Sequence, residues 1–147
     1  MRTLRRALRH VTTALAGAAL GAALLAAPPA ADAREGLGPE LSHLNLTYPA
    51  IHAVGVKGTH VPRKTLLLVT LNVDAMLRVR VKDTDPYGLS RAFNVDLPAG
   101  DSRVPITARV DGTKMPPGRY VVVVKAHNSV GSSDKFRLHL RIVGRHG

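Results

Sequence analysis

Three features of this sequence predict an all-β chain folded as an antiparallel sandwich of about seven strands. Between residues 44 and 143, apolar and polar residues alternate at period two in short runs, the mark of strands with one buried face. Turn-forming clusters such as Asp83-Thr84-Asp85-Pro86-Tyr87-Gly88, Pro98-Ala99-Gly100-Asp101 and Pro116-Pro117-Gly118 punctuate those runs. No stretch in that region carries a helical period. Short strands at this spacing fit two packed sheets with Greek-key connections.

The first residues stand apart from that pattern. Arg2, Arg5, Arg6 and Arg9 form a basic head, small and apolar residues run from Val11 to Ala27, and Ala31-Asp32-Ala33 has the form of a cleavage site. Together they predict a secretory signal peptide over residues 1–33. The apolar run is shorter and weaker than the roughly 20 residues of a spanning helix, so no transmembrane span is expected after cleavage. Residues 34–42 read as a flexible lead-in and 43–147 as one domain, large enough to bury a core unaided. The chain has no cysteine, which excludes disulfides, thiol chemistry and a lipidated N-terminal cysteine. An exported domain without disulfides points to a bacterial source and a secreted or envelope location.

Within the domain, Leu44, Leu46 and Tyr48 alternate with polar residues as a first strand, which Pro49 ends. Residues 50–64 read as a long connection with one short extended piece. Thr65 to Asn72 is apolar nearly throughout, as a central strand buried on both faces would be. Ala75 to Lys82 sets Leu77, Val79 and Val81 against Arg78, Arg80 and Lys82. In the next strand Leu89, Phe93, Val95 and Leu97 share a phase that Arg91 breaks. Val104, Ile106, Ala108 and Val110 share another, and Pro105 in the outward phase predicts an edge strand or a bulge. The last two strands form a hairpin, Pro116 to Val143, joined by a polar loop.

That hairpin carries a family resemblance. Pro117-Gly118-Arg119-Tyr120 leading into Val121–Val124, followed by Ala126-His127-Asn128-Ser129-Val130-Gly131, resembles the last hairpin of bacterial immunoglobulin-like and fibronectin III-like domains. It is most similar to the immunoglobulin-like domain of flagellar hook-cap proteins. Asp85-Pro86-Tyr87-Gly88 fits that family's Asp-x-x-Gly, and Val110-Asp111-Gly112 stands at its second turn without the tryptophan. The resemblance spans about Leu66 to Val143 and implies an immunoglobulin-like sandwich. Tyr120 then occupies the place of a tyrosine corner, its hydroxyl bonding back to the preceding loop.

Enzyme chemistry is not expected. The sequence has no Gly-x-Ser-x-Gly elbow, His-Glu-x-x-His pair or phosphate-binding glycine loop, so no catalytic residue and no cofactor are assigned. Asp83, Asp85 and Asp111 sit where turns call for aspartate, and turn chemistry is favoured over a calcium site. His43, His52, His60, His127, His139 and His146 lack the spacing of a metal site, although His127 and His139 could meet across the final hairpin.

Charge supplies the candidate site. The whole chain carries a formal +11; residues 1–33 hold four arginines and one aspartate, so the remainder keeps +8. Such a balance favours anionic partners. If the third, sixth and seventh strands share a sheet, as the resemblance implies, parity places Arg78, Arg80, Lys82, Arg119, Lys125, His127, Lys135, Arg137, His139 and Arg141 on one outer face. The expected function is a secreted binding or scaffolding module meeting an anionic cell-wall polymer or a secreted protein through that face. Nucleic acid is not expected, because no exposed aromatic row is available for stacking. The alternative is a secreted inhibitor of an extracellular enzyme, with Val110–Gly118 as bait and Lys114 and Met115 at its centre.

Overall fold

In a computed structural model, which describes residues 36–56 and 60–145, the chain is all-β. The signal peptide expected over residues 1–33 lies outside the described residues. Among the described residues no helix is long and apolar enough to cross a membrane. The strands are β1 (Leu41–Leu46), β2 (Ala50–His52), β3 (Lys64–Leu71), β4 (Ala75–Asp83), β5 (Ser90–Leu97), β6 (Gly100–Thr107), β7 (Arg109–Val110), β8 (Thr113–Lys114), β9 (Gly118–His127) and β10 (Phe136–Val143). Seven of them correspond to the expected strands. The short β2 lies where one extended piece was expected in the connection 50–64, β7 is a separate strand at the end of the phase that runs from Val104 to Val110, and β8 is an addition.

Two sheets carry the architecture. One has the order β1-β3-β6, the other β2-β10-β9-β4-β5, and β7-β8 form a small separate hairpin. All pairings are antiparallel except β2 with β10. Alternation in the sequence produces the packing directly. Leu67, Val69, Leu71, Val104 and Ile106 from the first sheet meet Leu77, Val79, Val81, Val122, Val124, Leu140 and Ile142 from the second in one buried cluster. Each such side chain contributes about 1.5–3 kcal/mol relative to exposure.

Two strand expectations need correction. β3 is buried on one face only: Thr65, Leu67, Val69 and Leu71 are buried, whereas Leu66 and Leu68 on the other side are half-buried. An antiparallel sheet can leave one face to solvent, and among the described residues no helix layer covers those leucines as one would in a parallel sheet. In β1, Leu41 and Leu46 both enter the core although five residues apart, which strict alternation forbids. One extra residue between Ser42 and Asn45 resets the register, with His43 in the left-handed region at φ 49°. Leu44 lies within the bulge and is only half-buried, and Tyr48 lies past the end of β1, where it is exposed rather than buried.

β1 also begins two residues before the expected domain boundary, and its approach is fastened. Asn72 binds both sides of it, accepting from the Glu40 amide at 2.7 Å and donating to the Gly38 carbonyl at 3.1 Å. Asn128 donates to the Leu37 carbonyl at 3.0 Å.

The turns follow their chemistry. The Asp83 carboxylate accepts from the Asp85 amide at 3.0 Å, and that of Asp85 accepts from the Tyr87 amide at 3.1 Å. Gly88 closes this β4–β5 turn by donating to the Asp85 carbonyl at 2.9 Å. A Cβ on Gly88 would lie 2.6 Å from Asp83 Cγ, an overlap that needs backbone movement. Gly88→Ala is therefore expected to lower stability by about 1–3 kcal/mol in urea unfolding, and an unchanged midpoint would show that the turn yields freely. Asp111 and Gly112 both have positive φ, 48° and 72°, in the two-residue link of β7–β8, as a type I′ hairpin requires. Among the described residues β6 pairs only with β3, so Pro105 lies in an edge strand, one of the two placements its outward phase predicted. Arg91 breaks its strand's apolar phase because its guanidinium reaches Thr113 Oγ1 on β8 at 3.1 Å.

Tyr120 is almost fully buried at the start of β9, and its hydroxyl donates to the Pro116 carbonyl at 2.7 Å. The tyrosine therefore anchors the loop before β9 to the core, as its position in the sequence implied.

Candidate functional site

The strand order β10-β9-β4 makes neighbours of the three strands whose outward residues are basic. Their registers arrange the outer face in rows. Arg141 lies opposite Arg119, His139 opposite Val121 and Arg137 opposite Val123 between β10 and β9. Across the next ladder, Val121 faces Lys82, Val123 faces Arg80, Lys125 faces Arg78 and His127 faces Met76. Arg78, Arg80, Lys82, Arg119, Arg137, His139 and Arg141 are exposed, and Lys125 and His127 are half-buried. Lys135 is exposed too, just before β10 begins.

The arrangement is a border around a floor. Val121 and Val123, both half-buried, occupy the middle of the central strand. Arg80 and Lys82 flank them on one side, and Arg137 and His139 on the other. Lys125 and Arg119 sit beyond the two valines along β9 itself. The flanking strands are two interstrand spacings apart, roughly 9–10 Å, and successive outward residues on each are roughly 7 Å apart.

Two like-charged pairs face each other directly, Arg78 with Lys125 and Arg119 with Arg141. Directly opposed like charges destabilise a sheet. In water each pair costs at most about 1 kcal/mol, less with salt. Arginine hydrogen bonds to other protein groups occur away from this face, from Arg91 to Thr113 and Ser90 and from Arg109 to Gly112.

The structure adds residues that sequence parity left unplaced. β5 pairs with β4 and extends the face with Ser90, Ala92 and Asn94 opposite Lys82, Arg80 and Arg78. Asp96 lies opposite Met76, in the same row as His127, so an acid limits the basic area at that end. The outward parity of β5 was readable, but its place beside β4 was not. At the opposite end, Thr84 binds the Arg119 carbonyl through its amide at 3.1 Å and its hydroxyl at 3.2 Å. This brings the β4–β5 turn to the edge of the face, with Tyr87 at its tip 97% exposed.

His127 and His139 do not meet. His139 is opposite Val121, six residues from His127 along β9, which separates them by roughly 20 Å. Among the described residues no group of three or more His, Asp or Glu could hold a metal ion. His52 is buried, and neither of its ring nitrogens has a hydrogen-bond partner among the described residues. In the segment considered as inhibitor bait, Met115 is buried in the core and its amide donates to the Ala108 carbonyl at 2.8 Å, so of that pair only Lys114 is exposed.

Burial raises the Tyr120 hydroxyl pKa above the ordinary 10.0, and the nearby Asp83 carboxylate adds to the rise. The phenol is thus a neutral structural donor at ordinary pH. No family model matches the chain, and no curated protein shows significant sequence similarity to it.

Proposed function

We propose that this chain is an exported, non-enzymatic immunoglobulin-like module of the bacterial envelope. It binds an anionic polymer through the outer face of β10-β9-β4. The observation that carries the reading is the basic face itself: cations on three adjacent strands, opposed in like pairs, with no acid among the outward residues that those three strands pair. A surface shaped by stability alone would intersperse charges of both signs. The sandwich assignment has support in the strand order, since β3 and β6 share one sheet while β4, β9 and β10 share the other, as the immunoglobulin arrangement requires. The Tyr120 bond to Pro116 adds a second support.

The purified protein is expected to be retained on cell-wall polymer or a heparin-type resin at low ionic strength. Log affinity should fall linearly with log salt, since each cation engaged releases a counterion. Free passage through both matrices at low salt would end this reading.

A further inference from the structure

The border of cations around Val121 and Val123 has a chemical consequence beyond charge. A purely ionic surface needs no apolar centre, and here the central strand places valine where its neighbours place arginine, lysine and histidine. Resting on the anionic-polymer reading above, we infer that the ligand is an anionic polysaccharide, with a single chain lying on the valine pair between the flanking strands. The carbon-bound hydrogens of the sugar rings pack on Val121 and Val123. Carboxylate, sulfate or phosphate substituents turn outward to Arg80 and Lys82 on one side and Arg137 and His139 on the other. The roughly 9–10 Å between the flanking strands admits one sugar chain with side chains reaching it from both edges. Arginine suits the task because its planar fork binds oxyanions through two hydrogen bonds.

Tyr87 independently favours a sugar over a bare polyanion. It is 97% exposed at the tip of a turn whose backbone is tied to Arg119, at the end of the basic face away from Asp96. An exposed aromatic ring on a turn at the margin of the basic face offers an apolar plate to a pyranose, while inorganic polyphosphate has no use for it.

The test compares binding of heparin-type oligosaccharides with binding of inorganic polyphosphate of matched charge, for the unaltered protein and for Val121→Thr/Val123→Thr. Threonine keeps the β-branched shape at these half-buried positions and leaves every cation in place. The double variant should bind the oligosaccharide about tenfold more weakly and polyphosphate equally well, with the same salt slope. Tyr87→Ala should follow the same pattern. Retained polyphosphate binding also reports that the variants are folded. If oligosaccharide and polyphosphate binding change together, or neither changes, the valine floor is not used and the sugar inference fails while the basic-face reading survives. If the unaltered protein binds neither ligand at low ionic strength, the basic-face reading fails as well.

Discussion

Arg80→Glu/Arg137→Glu is expected to abolish retention on anionic polymer, with a loss of at least about a hundredfold in affinity. The two arginines flank Val123 from either side, so reversing both puts negative charge across the centre of the face. The remaining salt dependence should become shallower, because fewer counterions are released on binding. Stability should move the other way or not at all. Both residues are exposed, and glutamate among Arg78, Lys82 and His139 replaces repulsion by attraction. Exposed changes of this kind stay within about 0.5 kcal/mol. The matching control is Lys64→Glu/Arg103→Glu, the same charge change at exposed positions of the other sheet. Binding that fell equally in both double variants would show that overall charge, rather than this face, governs association.

Tyr120→Ala is expected to have the largest effect on stability, a loss of about 3–5 kcal/mol in denaturant unfolding. The ring is buried between the sheets, and its hydroxyl holds the loop before β9 through the Pro116 carbonyl. Tyr120→Phe keeps the ring and removes only the bond, costing about 1–2 kcal/mol. The pH dependence separates these contributions. Burial, then Asp83, raises the folded-state pKa above the ordinary 10.0. The folded state therefore holds the phenolic proton more tightly than the unfolded state does. The associated stability is complete below pH 10.0 and is lost as pH rises through the folded-state value. Unfolding curves at neutral pH and above pH 10.0 should thus show the gap between wild type and Tyr120→Phe narrowing with alkalinity. A gap that stays constant would mean that the phenol titrates alike in both states.

Much of the site was legible because a strand's side chains alternate, and alternation is local. The sequence of β4 alone shows Arg78, Arg80 and Lys82 opposite in sense to Leu77, Val79 and Val81, and the structure keeps that division. β10 does the same with Arg137, His139 and Arg141. The aspartates of the β4–β5 turn and the Asp111-Gly112 link declared their roles through side-chain and φ preferences that need no distant partner. By contrast, β2 has three residues and no alternation to read; only the neighbouring β10 makes it a strand. The bulge at His43 lets both Leu41 and Leu46 enter the core through one extra residue, which no pattern of polarity marks. Arg91 looked like an error of phase until Thr113 came within reach.

The sequence by itself therefore determined which residues face inward in the regularly alternating strands β4 and β9, and which residues turn the chain, since both follow from bonds and sterics within a few residues. Only the tertiary structure decided which strands lie side by side. That choice is made by crossovers between sheets and by burial shared across the whole core. It set the outward valines of β9 between the arginines of β4 and β10, added β5 with Asp96 at the margin, and so converted separate runs of charge into one bounded face.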